Sequence, residues 1–307
     1  DCSLYSAGGA QSDADYQAWI SALAAGLGNS HAVVIVEPDG LANLPSDCSA
    51  TTDPTGTLTA GRIADIKYAV NVLEARPNVA VYLDAGNVGW RAPGDMASRL
   101  LQAGVQDAQG FMLNVSNYWP TDENNEYGTW VAKCMWFATQ GPSWGIGHPE
   151  YCASQYYSAS APNDGQPGDA VDFNDPSTWH WTEAWYDQNV GTPPLSQLSH
   201  FMVDTSRNGV GPWTPPAGTA YPDPQTWCNP PDRGIGLRPT ASTGVPLVDA
   251  YLYVKTIGQS DGQCSRGEAG TVDPVYGSTD PAAGAWWPSM ALTLAHNASP
   301  ALTFNLG

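Results

Sequence analysis

The sequence predicts an α/β fold in which helices cover a parallel β-sheet, arranged either as an open doubly wound sheet or as a barrel. Two observations support this prediction. Five short runs rich in Val, Ile, Leu and aromatic residues have the length and composition of buried strands. Segments with apolar residues three and four positions apart, typical of helices, lie between and after these runs. Because strands that alternate with helices usually pair in parallel, we expect one sheet with helices on its faces.

Each predicted strand is a short apolar run that ends at polar residues; the five are His31–Val36, Val79–Leu83, Gly110–Val115, His200–Val203 and Pro246–Val254. Each predicted helix carries an apolar stripe; the four are Ala14–Leu27, Ala60–Ala75, Met96–Val105 and Ala285–Ala295. Trp, Tyr, Pro, Asn and Gly dominate residues 118–199, where no long amphipathic pattern is found. We therefore predict a single domain, residues 1–307, with an irregular loop insertion at about 118–199 that builds a functional surface.

The composition narrows the class of partner. Acidic residues outnumber basic ones by 30 to 11, which gives a net charge of −19 and argues against nucleic acid or anionic lipid as a partner. No apolar run is long enough to span a membrane. The chain contains 13 Trp and 14 Tyr, more aromatic surface than a core requires, so planar apolar ligands such as sugars become plausible.

Six cysteines fall into neighbouring pairs that each close a local loop: Cys2 with Cys48, Cys134 with Cys152, and Cys228 with Cys264. An even number of cysteines in this arrangement predicts three disulfides. Disulfides persist in oxidising compartments, so we expect a secreted, extracellular protein.

Polar side chains follow every predicted strand; they are Glu37, Asp39, Asp84, Asn117, Asp204, Arg207, Lys255 and Asp261. In parallel α/β folds the carboxyl ends of the strands share one face, where ligands bind. An Asp after a strand is often only a turn residue or a helix N-cap. Five such strand ends in a chain with only 13% charged residues favour a site, and several acids together favour acid/base chemistry.

Other chemistries have less support. The five His residues show no HExxH motif and no paired spacing for zinc, so we expect no metal site. Gly141–Gly145 matches GxSxG, but Gly147 and Pro149 follow it where a nucleophile elbow needs a helix, so an esterase acting through Ser143 is a weak alternative. No nucleotide-binding motif follows a strand. Trp90 and Trp227 lie in loops near the expected site, either as buried anchors or as platforms on which sugars stack.

The chain resembles glycoside hydrolase family 6, the inverting cellulases that cut β-1,4-glucan. The motifs that carry the resemblance are Asp1-Cys2, Val36-Glu37-Pro38-Asp39, Leu41-Ala42-Asn43-Leu44, Tyr82-Leu83-Asp84-Ala85-Gly86 with Trp90, Asn114-Val115-Ser116-Asn117-Tyr118, Asp204-Thr205-Ser206-Arg207-Asn208-Gly209, Trp227-Cys228-Asn229, Val254-Lys255 and Asp261-Gly262. Their order and context match along most of the chain. The resemblance implies a distorted parallel (β/α) barrel without a cofactor.

Carried over to this sequence, the resemblance makes Asp39 the general acid and Asp1 the neighbouring aspartate that keeps that acid protonated. Asp261 is similar to the proposed base, and Asp84 to a further acid near the cleavage point. The residues expected to bind sugar are Trp90, Trp227, Lys255, Asn117 and Asn229. Inversion needs an acid and a base on opposite faces of the sugar, with room for water between them. The pairs Cys2–Cys48 and Cys228–Cys264 match the disulfides of the family, whereas Cys134–Cys152 belongs to the insertion.

Some positions depart from the family pattern. Family members usually carry an Arg and the first barrel strands before the Asp-Cys pair, so the resemblance implies that the N-terminal strands, roughly two β/α units, are missing from this chain. Ala7 stands in place of a common Ser, Asn87 in place of a His and Gln259 in place of a Glu. These departures keep a noncatalytic carbohydrate-binding protein open as an alternative.

The family contains endoglucanases with open clefts and cellobiohydrolases with loops that roof a tunnel. The short stretch between Asp1 and the first helix favours an endoglucanase, whereas the longer Gly262–Gly284 loop and the insertion at 118–199 would favour the exo-acting type if they covered the cleft. We expect an endo-acting monomer whose substrates are cellulose, β-glucan chains or cello-oligosaccharides, with exo action as the alternative.

Overall fold

The computed structural model describes residues 9–48, 53–153 and 181–303 of the 307-residue chain. The chain divides into two compact units, which are described separately below. The larger unit takes in the described residues up to 113, with those of 124–202 and 244–249. The smaller unit takes in 114–123, 203–243 and the described residues from 250 onward.

The main sheet has five strands in the order β1-β2-β3-β4-β5. These are β1 Ala32–Val36, β2 Val79–Asp84, β3 Gly110–Leu113, β4 His200–Asp204 and β5 Val248–Leu252. The pairs β1–β2 and β2–β3 are parallel. Backbone hydrogen bonds from Phe201 to Leu247 and from Thr205 to Leu252 advance in the same direction along β4 and β5. The predicted α/β fold is confirmed, and the sequential order lacks the reversal of a doubly wound sheet.

Each predicted strand is found, with its ends shifted by a few residues. The largest shift shortens the last one, predicted as Pro246–Val254, to Val248–Leu252. In the smaller unit, a short antiparallel ladder joins β6 (Val272–Asp273) to β7 (Ser278–Thr279).

The described helices are α1 Asp13–Leu27, α2 Thr57–Glu74, α3 Pro93–Gln102, α4 Thr121–Gln140, α5 Glu183–Asn189 and α6 Pro288–His296. The four predicted helices correspond to α1, α2, α3 and α6. The start of α1 is set by Ser12, whose side chain accepts a hydrogen bond from the backbone N–H of Asp15. Pro93 opens α3, because proline fits the first turn, where its missing N–H is not needed. None of the described helices is both long and apolar enough to cross a membrane.

The prediction that 118–199 is irregular is wrong for residues 121–140, which form the long helix α4. Eleven of its residues are buried, including the run from Trp130 to Met135, so the helix has no continuous polar face and no amphipathic pattern to detect. Gly128 lies in its middle because a Cβ there would come within 2.5 Å of the Phe201 ring. The helix α5 is a second element in this stretch, and residues 154–180 lie outside the described part.

Two of the three predicted disulfides are confirmed. Cys134 on α4 is bonded to Cys152 with the Cα atoms 5.4 Å apart, and Cys228 is bonded to Cys264 at 6.0 Å. Cys48 is also disulfide-bonded, and its predicted partner, Cys2, lies outside the described residues.

Candidate active site

In the larger unit, a strained turn presents Asp39 immediately after β1. Glu37 and Asp39 have positive φ angles of 50° and 68°, a conformation that non-glycine residues rarely adopt. The backbone N–H of Gly40 closes the turn on Glu37 O at 2.8 Å. A Cβ at Gly40 would lie 2.8 Å from the Cβ of Glu37, so only glycine fits there. Asp39 itself is solvent-exposed, as a carboxyl group that meets a ligand must be.

Asp84 stabilises this turn by hydrogen bonding to its backbone. Its side chain is 1% exposed, and its Oδ1 accepts hydrogen bonds from the backbone N–H groups of Asp39 and Gly86, each at 3.0 Å. The structure therefore brings two of the predicted acids together, although they differ in kind. Asp39 faces solvent, whereas Asp84 is buried and holds the backbone of Asp39 in place.

A group of charged residues, the arginine clamp of Arg91, Arg99 and Asp47, holds the chain that follows Asp39. Arg99 donates to Leu41 O at 2.9 Å and to Asp47 at 2.7 and 3.1 Å. Arg91 donates to Ala42 O at 2.8 Å and also pairs with Asp47 at 2.7 Å. Burial alone would raise the pKa of Asp47, but the two guanidinium groups outweigh it and lower the pKa below its ordinary value.

Sequence reasoning missed the arginine clamp. The available signal was the spacing of Arg91, Asp95 and Arg99, which lie four residues apart in a chain with few cations. Arg99 indeed contacts Asp95 at 2.9 Å.

Trp90 is half-buried at the end of the loop that follows Asp84. The glycine at Gly86, with φ +65°, leaves room for its ring, because a Cβ there would lie 3.3 Å from Trp90 Cε3. Asn87 stabilises the same loop by accepting a hydrogen bond from Gly89 N at 3.0 Å. Trp90 thus has a packed side and an exposed side, and a sugar-stacking role stays a prediction.

In the smaller unit, Asp261 lies among cations and hydrogen-bond donors. Its Oδ2 pairs with Arg207 at 2.9 Å and its Oδ1 with Lys255 at 3.1 Å. The Tyr118 hydroxyl donates to Oδ2 at 3.2 Å, and the Asn229 N–H does so at 3.0 Å. The Asp261 side chain is only 7% exposed. The structure thus brings together the predicted residues Arg207, Lys255 and Asp261.

These contacts determine the charge of Asp261. Burial would raise its pKa, but Arg207 and Lys255 outweigh that effect and lower the pKa below the ordinary aspartate value. Asp261 is therefore an ionised carboxylate at neutral pH. A carboxylate with a lowered pKa is a poor proton acceptor, so its surroundings suit charge stabilisation better than direct removal of a proton from water.

Tyr118 is a further residue of this cluster that sequence reasoning did not single out. It is 2% exposed, and its ring lies 4.4 Å from the guanidinium carbon of Arg207. Burial raises its pKa well above the ordinary tyrosine value, so the hydroxyl stays protonated and donates a hydrogen bond to Asp261.

Asp204 has the structural role that was the alternative for every strand-end acid. It is 1% exposed and accepts backbone hydrogen bonds from Ser116 at 3.0 Å, Ser206 at 2.9 Å and Lys255 at 3.1 Å. It therefore ties together the loops that carry Lys255 and Ser116 and is not available to a ligand.

The three other residues predicted to bind sugar in this unit differ in exposure. Trp227 is 39% exposed, Asn117 is half-buried, and Asn229 is fully buried. Asn117 Oδ1 accepts from the N–H of Tyr118 at 3.0 Å. The side chain of Asn229 makes hydrogen bonds within the protein, to Gly262 O, Asp280 and the N–H of Asp261, and its sugar-binding role stays a prediction. The contact with the Asp261 N–H orients Asp261.

Asp1 and Ala7 lie outside the described residues. Ser143 lies in a turn after the C-terminus of α4, closed by a hydrogen bond from Gly145 N to Pro142 O, and not between a strand and a helix as an elbow requires. Among the described residues, Cys264, Asp273 and Asp280 have ligand atoms within 4.8 Å of one another, but Cys264 has no thiolate because it is disulfide-bonded.

Comparisons with known proteins place this geometry in context. Residues 1–298 match the model of the family described as "Glycosyl hydrolases family 6". The chain is 30% identical to "Endoglucanase A" of Cellulomonas fimi, over 97% of this chain and 45% of that protein. It is 31% identical to "Probable 1,4-beta-D-glucan cellobiohydrolase C" of Aspergillus fumigatus, over 94% of this chain and 55% of that protein. The chain thus spans about half the length of these curated relatives.

The fold is also similar to a solved structure, the endoglucanase Cel6 from Mycobacterium tuberculosis in complex with methyl-cellobiosyl-4-deoxy-4-thio-β-D-cellobioside. The TM-score is 0.63 at 33% sequence identity, and the match covers 97% of this chain and 72% of the other.

Proposed function

The chain belongs to glycosyl hydrolases family 6, and from that premise we propose that it hydrolyses β-1,4-glucosidic bonds in cellulose or a related β-glucan. The observation that carries this proposal is the exposed carboxyl group of Asp39 on a strained turn held by buried Asp84. Strained backbone that the surrounding structure over-determines is characteristic of functional sites. The thio-oligosaccharide bound to the similar endoglucanase supports a β-glucan as the substrate class.

We propose that Asp39 is the general acid that protonates the glycosidic oxygen. Asp1, as the neighbouring acid, would keep Asp39 protonated through like-charge repulsion. The role proposed for Asp84 is to hold Asp39 at the correct angle, and its burial and its hydrogen bond to Asp39 N support this role.

We propose that the reaction inverts the anomeric configuration and that Asp261 orients the water molecule that attacks the anomeric carbon. Its lowered pKa supports a role in orienting that water and stabilising positive charge, with the proton passing on through solvent. Lys255, the more exposed cation of the pair, is proposed to bind a sugar hydroxyl, and Trp90 and Trp227 are proposed to stack on sugar rings.

Endo action is the mode that we propose, with exo action as the alternative. The curated relatives include proteins named as endoglucanases and as cellobiohydrolases, so the family alone does not favour either. The two modes differ in how quickly viscosity falls: an endoglucanase lowers the viscosity of carboxymethylcellulose after few cuts, whereas an exo-acting enzyme releases cellobiose with little change in viscosity.

The disulfides Cys134–Cys152 and Cys228–Cys264 support an oxidising, extracellular location. We propose a protein that acts there as a monomer, without a cofactor, a nucleic-acid partner or a membrane partner. The net charge of −19 supports the last two points.

The test is release of reducing ends from amorphous cellulose by the parent chain, Asp39→Asn and Asp107→Asn. Asp107 is an exposed acid of the same unit, so its substitution is a matched control for loss of one charge. We expect activity from the parent and the control and a loss of roughly a hundredfold or more for Asp39→Asn, with sugar binding retained. A folded parent that binds cello-oligosaccharides but releases no reducing ends would favour the noncatalytic carbohydrate-binding alternative.

A further inference from the structure

Two further acids of the smaller unit, Asp273 and Asp280, are buried close to each other and are linked to Asp261 through Asn229. Asp273 ends β6 and is 0% exposed, and Asp280 directly follows β7 and is 2% exposed. Their nearest carboxylate oxygens lie within 4.8 Å of each other. Nothing in the proposed reaction uses either residue, and two acids this close in a protein interior need an explanation.

Both carboxylate oxygens of Asp273 are paired with one arginine. Its two oxygens accept from Arg266 at 3.2 and 2.7 Å, and both side chains are fully buried. Arg266 also donates to the carbonyl oxygens of Gln225 and Cys228, each at 2.7 Å. The charge of Arg266 is therefore committed to Asp273 and to the backbone, and Asp280 receives no direct ion pair from it.

Asp280 has only one satisfied oxygen. Its Oδ2 accepts from Asn229 Nδ2 at 2.9 Å, whereas no described residue donates to the buried Oδ1. A buried carboxylate oxygen without a donor is costly, but a protonated one is not, because it can donate to the neighbouring carboxylate. The geometry therefore suits a neutral Asp280 whose proton lies between it and Asp273.

Asn229 connects this pair to Asp261. Its backbone N–H donates to Asp261 Oδ2 at 3.0 Å, and its Oδ1 accepts from the Asp261 N–H at 2.7 Å. Its Nδ2 donates to Asp280, and also to Gly262 O at 2.8 Å. One buried amide group thus holds Asp261 on one side and Asp280 on the other.

The charged and titratable groups that face Asp280 are Asp273, Arg266 and, more distantly, Tyr276. Burial is the largest effect on the pKa of Asp280 and raises it. The hydrogen bond from Asn229 and the charge of Arg266 lower it, Asp273 raises it, and the resulting pKa is about 6. Tyr276 keeps its proton because burial raises its pKa, and it donates to Asn229 O at 3.0 Å.

We propose that Asp280 is a positioning residue for Asp261, that it acts through Asn229, and that it holds Asn229 correctly only while it shares a proton with Asp273. Loss of that proton to solvent leaves two carboxylates in contact, and their repulsion moves Asp280 and the amide group of Asn229 away from their present positions. The proposal rests on the function proposed for Asp261.

The first test uses a readout that needs no activity. In protein labelled with ¹⁵N-asparagine, the side-chain amide signal of Asn229, assigned through Asn229→Gln, is followed between pH 4.5 and 8. We expect the parent signal to shift with a midpoint near pH 6 and the shift to vanish in Asp280→Asn, which mimics the neutral acid. A parent signal that does not change over this range would overturn the proposal.

The second test compares the pH dependence of kcat for the parent, Asp280→Asn, Asp280→Ala and Glu268→Gln. Glu268 is an exposed acid in the same unit, so it controls for the loss of one charge. We expect Asp280→Asn to retain the rate of the parent at pH 5 and to lose less of it above pH 6. Asp280→Ala should lose about tenfold in kcat at pH 5 with little change in KM, because it leaves Asn229 Nδ2 without this acceptor, and should differ less from the parent above pH 6.

The outcomes separate the two proposals. A parent that shows the amide titration but no hydrolysis would refute the proposed function and leave the link between Asp280 and Asn229 intact. An active parent whose pH profile and kcat match those of both Asp280 variants would refute the positioning role and leave the proposed function intact.

Discussion

Removal of Arg99 tests whether the arginine clamp holds the segment that carries Asp39. The substitution Arg99→Met keeps most of the aliphatic stem and removes the guanidinium group. That group makes two contacts to Asp47, one to Asp95 and one to the carbonyl oxygen of Leu41. The Arg99 and Asp47 side chains are 10% and 17% exposed, so these contacts are largely shielded from water.

The expected cost follows from these contacts. Breaking a fully buried ion pair costs roughly 3–5 kcal/mol. Here Asp47 keeps its second partner, Arg91, at 2.7 Å, and Asp95 is 41% exposed and can be solvated. We therefore expect Arg99→Met to lower the free energy of unfolding by about 2 kcal/mol.

Arg99→Met should also lower kcat, even at a temperature low enough for the variant to remain folded. The chain from Asp39 to Asp47 loses one of the anchors that fix the angle of the proposed acid, and a misplacement of about 1 Å can cost on the order of a hundredfold in rate. We expect kcat to fall at least tenfold at a temperature where the variant is fully folded.

The assay is urea unfolding followed by circular dichroism, with initial rates on soluble cello-oligosaccharides. Lys67→Met, which removes an exposed cation of the same unit, is the matched control and should change both quantities little. The reasoning is refuted if Arg99→Met and Lys67→Met have the same unfolding free energy and the same kcat.

Three further predictions concern packing, pH and covalent structure. Gly94→Ala should unfold more easily by several kcal/mol, because its Cβ would lie 2.4 and 2.5 Å from two backbone carbonyl oxygens, whereas Gly26→Ala, which meets nothing within 4 Å, should be neutral or stabilising in urea unfolding. Asp280→Asn should gain up to about 3 kcal/mol in unfolding free energy relative to the parent as the pH rises from 4 to 7. The reason is that the pKa of Asp280, raised from 3.8 to about 6 in the folded state, makes the parent lose stability through this window. A difference that does not vary with pH would contradict this. Replacing Cys228 and Cys264 by serine should lower the unfolding free energy by about 4 kcal/mol, given a sequence separation of 36. The substitution should also reduce kcat, because Asn229 is adjacent to Cys228. Full activity of the double-serine variant would count against this.

The central strands of the main sheet could be predicted because they are short and buried. β2 and β3 are buried over nearly their whole length, which leaves continuous apolar runs in the sequence. The same property concealed α4, since a helix that is buried on most sides has no polar face to mark its period. Its start did carry a signal, in Pro120 followed by Thr121, Asp122 and Glu123.

The site was predicted in its residue types more than in its internal organisation. Strand-end position identified Asp39, Asp84, Lys255 and Asp261, but it could not separate exposed acids from buried supports such as Asp204. That distinction depends on contacts between segments far apart in sequence, such as the hydrogen bond from Ser116 to Asp204. The link from Asn229 to Asp280 was inaccessible for the same reason, because it joins residues 51 positions apart.

The anomer of the first product tests the central claim most directly. Proton NMR of cellopentaose mixed with the parent chain records the new reducing end before mutarotation, and Asp39→Asn is run beside it. An inverting β-1,4-glucanase acting through Asp39 releases the α-anomer first, and the variant releases almost none. Initial release of the β-anomer, or hydrolysis by Asp39→Asn at the parent rate, would contradict this mechanism.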